Sequence, residues 1–317
     1  VCAARPRIDQ AWGFGLKREL LRSLLHESPL PKEARAVLVL LKTIFKDRPT
    51  ADVRIDQSLC TPETSLRRAI LALQQHALLG KQLLCVGDDD LVSVSIGLLL
   101  RSLFTDSRHS AFRIDVVDMD ERILHFIRNI AQEYDLPIKC RRLDLREAWP
   151  EELFGQYDAI FTDPPYTLQG MSLFLSRGIQ ALKKEKGLPV FLSFAHKSPP
   201  FMLAMQREFV RMGLTVSANF PRFNVYEGAE MIANQSQMYI LRTTDQTEPE
   251  HKGAFTGALY TGEVKQTLRT YHCKQCSRNI YVGKHGEFAT IELLKNAGCP
   301  RCASDTFELA ARYSVSE

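Results

Sequence analysis

No apolar run in this sequence approaches the roughly 18 residues that a membrane-spanning helix needs. The longest candidate, Val92 to Leu100, is short and broken by serines. Nothing near Val1 reads as a secretory signal: Arg5, Arg7 and Asp9 come early and no apolar stretch follows. The first residue is not Met, which leaves room for a truncated start. Internal repeats and low-complexity tracts are missing too. Neither sign of charge dominates, and a net +4 over 317 residues neither demands nor excludes nucleic acid. A cytoplasmic chain with no membrane partner is expected.

What is present is ordinary for globular domains, 45% hydrophobic and 25% charged, with length enough for two or three. Of the eight cysteines, Cys2, Cys60, Cys85 and Cys140 are scattered, while Cys273, Cys276, Cys299 and Cys302 form two tight pairs. In a reducing compartment such pairing argues for metal rather than disulfides.

Residues 1–80 read as a small helical, winged-helix-like domain. Apolar residues recur at helical spacing over Leu16–Leu25, Ala34–Phe45 and Ser65–Leu79. Thr61 is placed to cap the third helix, with Pro62 at its first position. Packing or a lid over a substrate is favoured here over DNA binding.

Residues 81–243 alternate strands and helices, which predicts an α/β, Rossmann-like domain with a parallel sheet covered on both faces. Strands are expected at Gln82–Val86, Phe112–Val117, Ile138–Leu143, Tyr157–Thr162 and Leu188–Ser193. Helices are expected at Leu91–Phe104, Glu121–Tyr134, Ser172–Leu182 and Phe201–Met212. Leu214–Phe220 and Gln237–Arg242 would close the sheet as an antiparallel hairpin. Residues 244–268 are polar and read as a linker. Residues 269–317 form a third module around the cysteine pairs.

Ligands of open parallel sheets sit beyond the carboxyl ends of the strands. Here those ends are acidic: Gly87-Asp88-Asp89-Asp90 after the first strand, Asp118 after the second, Asp144 after the third and Asp163-Pro164-Pro165-Tyr166 after the fourth. One acid at a strand end is usually a solvated loop residue, but four along one sheet edge make a site. The order resembles the methyltransferase fold. That resemblance puts the ribose hydroxyls of a nucleoside on Asp118 and the adenine amino group on Asp144.

The first loop has a single glycine where methyltransferases carry several. Three carboxylates beside a donor carboxylate would repel it by roughly 4 kcal/mol per pair at ~4 Å and an effective dielectric of ~20. The loop therefore favours a donor that has lost its carboxylate and keeps its amine, and a polycationic acceptor. Asp88 or Asp90 could instead cap the following helix, which would explain one acid of the three.

The residue before a proline is biased to extended backbone, so Asp163 projects from its strand end. Carboxylate and proline carbonyl can hold an amine by its hydrogens, and Tyr166 offers an aromatic wall to a cation. Asp89, Asp90, Glu227 and Glu230 are candidates for the acceptor's remaining ammonium groups. His196 and Lys197, after the fifth strand, are read as solvated.

With these residues assembled, the chain resembles the branched-chain polyamine synthases, the N4-bis(aminopropyl)spermidine synthase family. The resemblance rests on Gly87-Asp88-Asp89-Asp90-Leu91 and Asp163-Pro164-Pro165-Tyr166. It is extended by Asp56-Gln57, Thr61-Pro62-Glu63-Thr64-Ser65-Leu66-Arg67-Arg68 and Tyr226-Glu227-Gly228-Ala229-Glu230, and covers roughly residues 15–243. It implies decarboxylated S-adenosylmethionine as donor and a linear, spermidine-like polyamine as acceptor. It also implies methylthioadenosine as leaving group and Asp163 as the central catalytic residue, with Pro164 and Tyr166 beside it. Gly87, Asp88, Asp89, Asp118 and Asp144 would bind the donor, and Asp90, Tyr166, Glu227 and Glu230 the acceptor.

The C-terminal module departs from that pattern. Cys273-Lys274-Gln275-Cys276 and Cys299-Pro300-Arg301-Cys302, 22 residues apart, have zinc-ribbon spacing, and four thiolates leave no open position for substrate. A structural Zn²⁺ is expected. Lys265, Arg269, Lys274, Arg278, Lys284 and Lys295 tint the module basic. Protein contacts, including a homodimer, are favoured over nucleic acid. Two other readings compete: an S-adenosylmethionine-dependent N-methyltransferase acting on nucleic acid or protein, and a non-catalytic DNA-binding protein on the same fold. Asp88, Asp89 and Asp90 would repel phosphates, which disfavours the nucleic-acid substrate, and the strand-four motif disfavours the non-catalytic reading.

Overall fold

Five consecutive strands lie parallel: β1 (Gln82–Val86), β2 (Arg113–Asp118), β3 (Ile138–Arg142), β4 (Ala159–Thr162) and β5 (Pro189–Phe194). Of these β1, β4 and β5 are apolar and buried almost throughout, while β3, rich in Lys and Arg, is half-exposed at the sheet edge. A computed structural model describes residues 17, 32–104, 112–227, 235–264, 267–283, 286–288 and 291–314. The chain divides into two compact units, one up to Gly257 and one from Ala258.

In the first unit β6 (Leu214–Val225) and β7 (Gln235–Thr243) complete a sheet of order β3-β2-β1-β4-β5-β7-β6. β7 runs antiparallel to both β5 and β6, so the expected closing hairpin is present. Leu83, Leu84, Cys85 and Val86 are buried along β1, as are Val190, Phe191 and Leu192 along β5. Burial on both faces is what near-continuous apolar strands require. Among the described residues no helix is long and apolar enough to cross a membrane.

The strand order reverses at β1, which has β2 on one side and β4 on the other. The loops after β1 and β4 therefore diverge, and a crevice opens between them. Four helices connect the strands: α3 (Val92–Leu103), α4 (Glu121–Glu133), α5 (Leu168–Ala181) and α6 (Pro199–Arg211). Helices α1 (Lys32–Ile44) and α2 (Pro62–Gln74) precede the sheet, and their apolar faces belong to one continuous core with α3 and β1. Thr61 caps α2 by accepting from the Thr64 N–H at 3.3 Å, with Pro62 in the first turn. The helix expected at Leu16–Leu25 lies outside the described residues, apart from Lys17.

Helix α5 starts at Leu168, four residues before the start read from the sequence. Gly170 hid the start, because glycine weakens a helical pattern. The position needs glycine: a Cβ there would come within 2.8 Å of both the Pro165 carbonyl oxygen and Thr167 Oγ1. Its absence lets α5 press against the turn that carries Asp163.

Part of the polar stretch read as a linker is fastened to this unit. Arg177, fully buried on α5, donates to the carbonyls of Leu145, Glu147, His251 and Gly253. Ser176 Oγ accepts from the Glu250 and His251 N–H groups at 3.1 Å each. One guanidinium thus ties the loop after β3, which holds Asp144, to residues 250–253. Arg177→Met is expected to cost roughly 3 kcal/mol, since buried carbonyls lose a charged donor. A urea midpoint equal to that of the parent protein would refute this clasp.

The second unit has α7 (Thr261–Val264), β8 (Thr267–Cys273), β9 (Asn279–Gly283), α8 (Ile291–Ala297) and β10 (Phe307–Ser314). Its strands form an antiparallel sheet of order β10-β8-β9. The core is small: Ile280, Val282 and Leu294 with Cys273 and Cys299.

Candidate active site

The three consecutive aspartates leave β1 in three directions. Asp88 turns under α3 and accepts from the Val92 N–H at 2.7 Å and the Ser93 N–H at 3.1 Å. Its carboxylate fills the start of the helix, the capping alternative raised by the sequence. Asp90 turns toward α2, accepting from Arg68 at 2.6 Å and from the Cys60 N–H at 2.5 Å. Asp89 is half-buried, and among the described residues no side chain bonds its carboxylate. Leu91 sits in the left-handed region at φ 52°, where a bulky residue is strained by roughly 1–2 kcal/mol. That kink separates the three side chains and starts α3.

The site is thus narrower than a cluster of three free charges. Neither Asp88 nor Asp90 points into bulk water, but each is committed to a protein partner. Burial raises the Asp88 carboxyl to about 7 against the pull of Ser93 and Val92. Burial and the nearby charges of Asp90, Asp118 and Asp163 push Asp89 well up. For Asp90 burial is outweighed by Arg68, Asp163 and the Cys60 N–H, and its carboxyl lies below the ordinary value.

Asp163 follows β4 across the crevice. Its Oδ2 accepts from Arg68 at 2.8 Å and from the Tyr226 hydroxyl at 2.6 Å. Burial raises its carboxyl to about 7, with Arg68 opposing and Asp90 reinforcing. Pro164 and Pro165 are buried beside it. The Pro165 carbonyl accepts from the Thr167 N–H at 2.7 Å, so this proline carbonyl is already engaged. Tyr166 donates to the Tyr226 hydroxyl at 2.9 Å, and its ring packs on Phe194. Lys197 Nζ lies 5.6 Å from the centre of that ring, so one cation already stands near this aromatic face.

Asp118, at the end of β2, is buried and accepts from the Asp88 and Asp120 N–H groups at 3.1 and 2.8 Å. Burial outweighs these bonds, so its carboxyl is raised. The lone pairs that remain suit the vicinal hydroxyls of a ribose. Asp144 is half-buried after β3 and accepts from the Arg146 N–H at 2.9 Å. Glu227 is exposed, 3.9 Å from Arg48, and its N–H donates to the Leu59 carbonyl at 2.9 Å. Glu230 lies outside the described residues. Gly87 has φ +75°, which keeps the first turn of the loop tight.

Reading the sequence missed two residues as site members. Arg68, fully buried on α2, joins Asp90, Asp163, Asn224 and Tyr226. A signal was there: Arg68 falls on the apolar stripe of α2 with Thr64, Ser65, Leu71 and Ala72, all buried. A charge on such a stripe must be paired. Tyr226 is brought in from the end of β6, where Cys60 and Tyr226 form an antiparallel bridge. Nothing local in the sequence announces that pairing.

Comparison with known proteins bears on this geometry. The profile of the branched-chain polyamine synthase A C-terminal domain matches residues 37–275. An uncharacterized protein of Methanocaldococcus jannaschii is 40% identical over 279 residues, 88% of this chain and 66% of the relative. The N(4)-bis(aminopropyl)spermidine synthase of Thermus thermophilus is 32% identical over 184 residues, 57% of this chain and 51% of that protein. The crystal structure of the Thermus thermophilus branched-chain polyamine synthase contains N4-aminopropylspermidine and 5′-methylthioadenosine. It matches with a TM-score of 0.63 at 28% identity, covering 73% of this chain and 69% of that one. The chain thus spans about half to two thirds of the length of these curated relatives.

Proposed function

Because the chain belongs to the branched-chain polyamine synthase family, we propose that it moves an aminopropyl group from decarboxylated S-adenosylmethionine to an internal amine of a spermidine-like polyamine. The observation that carries this reading is the crevice at the strand-order reversal, flanked by Asp89 after β1, Asp118 at the end of β2 and Asp163 after β4, where burial raises each carboxyl. Carboxyls that resist ionising alone ionise readily beside a cation, so such a pocket favours ligands bearing several ammonium groups.

The chemistry is a displacement. The amine lone pair forms a bond to the carbon beside the sulfonium, and the carbon–sulfur bond breaks with its electron pair going to sulfur. Asp163, ionised beside the bound ammonium, takes that nitrogen's proton before attack and so frees the lone pair; methylthioadenosine leaves, and the alkylated nitrogen departs as an ammonium. Asp118 and Asp144 hold the nucleoside, and Tyr166 walls the reacting centre. Asp89 is the acid left to receive an ammonium group, either the donor's aminopropyl terminus or the acceptor's. Glu227 extends the acidic path outward, and Glu230 stays in the proposal by its place in the sequence.

Donor choice follows from two features. Asp88 already fills the helix start at which a donor carboxylate would otherwise be received, and Asp89 would face that carboxylate. Wild-type protein is therefore expected to use the decarboxylated donor at least about a hundredfold better in kcat/KM, roughly 2.7 kcal/mol in the transition state. Equal use of both donors would overturn the assignment. It would also revive the second reading, S-adenosylmethionine-dependent N-methyl transfer, which the filled helix start disfavours.

Polyamine binding carries a proton signature. Asp163 sits at about 7 in the free protein, whereas the acceptor amines stay charged until roughly 10. The bound cation needs the ionised carboxyl, so affinity should rise from pH 6 through 7 and level off above 8. Calorimetry in buffers of different ionisation enthalpy should show proton release below pH 7. Affinity that is flat across this window would contradict the site.

In the second unit, Cys273, Cys276, Cys299 and Cys302 bring their sulfurs within 4.8 Å of one another. The pairs Cys273–Cys302 and Cys276–Cys299 are 3.5 and 3.6 Å apart. A tetrahedron with Zn–S of about 2.3 Å has edges of about 3.8 Å, so the cage suits zinc. Four sulfurs close the coordination sphere, and the metal's role here is structural. A reducing cytoplasm, where those thiols stay available, and a homodimer complete the proposal.

A further inference from the structure

Two of the acids at the crevice, Asp90 and Asp163, are held by Arg68, which lies on a helix outside the sheet. We infer that Arg68 is the positioning residue of the proposed transfer: by holding Asp90 and Asp163 in one buried fork, it keeps the charge on Asp90 and leaves Asp163 as the carboxyl that ionises when an ammonium binds and then takes the proton of the reacting nitrogen. The inference rests on the aminopropyl-transfer reading and adds a role that neither motif contains.

The geometry leaves little freedom. The Arg68 side chain is 2% exposed and uses all three nitrogens. Nη1 reaches Asp90 at 2.6 Å, Nη2 reaches Asp163 at 2.8 Å and Tyr226 at 3.1 Å, and Nε reaches Asn224 at 2.9 Å. Asn224 is itself fixed by Ser236 at 2.9 Å, and Tyr226 bonds Ser236 at 2.8 Å. The fork thus has partners on the β1 loop, the β4 loop and the end of β6, and Ser236 of β7 braces two of them.

The fork also assigns charge. Asp90 and Asp163 bond the two terminal nitrogens of one guanidinium, at 2.6 and 2.8 Å, and two buried carboxyls placed side by side do not both ionise readily. Arg68 and the Cys60 N–H hold the negative charge on Asp90. The shared proton then resides on Asp163, which becomes the group that ionises when an ammonium arrives. Other groups facing the pair are Asp89 on the β1 loop, Tyr166 on the β4 loop, Tyr226 after β6, Cys60 before α2 and Arg48 after α1. Arg68 is the one cation among these that bonds both carboxylates.

The test is the pH dependence of single-turnover transfer in full-length wild type, Arg68→Met and Arg68→Lys. The infrared carboxyl band lost in Asp163→Asn is followed in each background. Without a cation on the fork, Asp163 should ionise later. In Arg68→Met the acid limb and the band should move alkaline by about one pH unit or more. The shorter fork of lysine serves one carboxylate, and Arg68→Lys should shift by about half as much with a rate loss of roughly tenfold or more. Should Arg68→Met not fold, the lysine variant decides. A lower rate with both limb and band unmoved would make Arg68 merely structural and overturn the inference. If wild type transfers no aminopropyl group, the function falls. The band titration still decides whether Arg68 governs Asp163, because it needs no turnover.

Discussion

Replacing Asp163 with Asn is expected to lower aminopropyl transfer by roughly a thousandfold while leaving 5′-methylthioadenosine binding intact. Asparagine keeps the shape of the carboxylate, and its carbonyl oxygen can still accept from Arg68 and Tyr226, which both reach Oδ2 in the parent. What disappears is the capacity to take a proton. No neighbour substitutes for it easily. Asp90 is held by Arg68 and the Cys60 N–H, and burial with the Asp163 charge pushes the Tyr166 and Tyr226 hydroxyls well above their ordinary values. Single-turnover transfer and calorimetric binding of methylthioadenosine separate chemistry from nucleoside binding. Turnover within tenfold of wild type would remove Asp163 as base.

The same substitution has a signature in stability. The Asp163 carboxyl lies at about 7 in the folded protein against 3.8 in a free side chain. The folded state therefore binds a proton that the unfolded state has released, and this group's contribution to stability declines as pH rises from about 4 to 7. Asparagine has no such penalty. The Tm difference, Asp163→Asn minus wild type, should therefore increase between pH 5 and 8. A site tuned for function and strained at rest behaves in this way.

Much of the sheet could be read from the sequence because parallel strands buried on both faces leave runs such as Leu83–Val86 that little else explains. The acids at the strand ends were legible for the same reason, since strand ends of this fold converge on one edge. The direction of each side chain was not. Gly87-Asp88-Asp89-Asp90 reads as one block of charge, yet the left-handed turn at Leu91 sends Asp88 to the helix and Asp90 to Arg68. Charge can be counted along a chain, whereas whether it faces a ligand depends on partners far away in it. Tyr226 and Arg68 meet only because residues 59–61 pair with 225–227, a contact with no local pattern. The bulges of β6, between Val216 and Ala218 and between Phe220 and Asn224, re-aim its end toward the site.

Removing the metal from the second unit is expected to unfold it, the largest stability effect foreseen for this protein. Among the described residues the cluster at the unit's centre is small, Ile280, Val282 and Leu294 beside Cys273 and Cys299. A core of that size rarely holds three short strands together, and small modules of this kind need a staple. The proposed zinc, held by four thiolates, would supply it, with an apparent free energy on the order of 10 kcal/mol at neutral pH. Cys276→Ser and Cys302→Ser, or a strong chelator under reducing conditions, should each make residues 258–317 susceptible to protease. Elemental analysis should find one zinc per chain in the parent and little in the variants. The first unit carries its own large core of strands and helices, so a cooperative thermal transition should persist after chelation. Reducing agent is required throughout, because Cys273–Cys302 and Cys276–Cys299 stand close enough to oxidise once the metal is gone. Substoichiometric zinc together with unchanged protease resistance after chelation would show that the four cysteines hold the unit by packing alone.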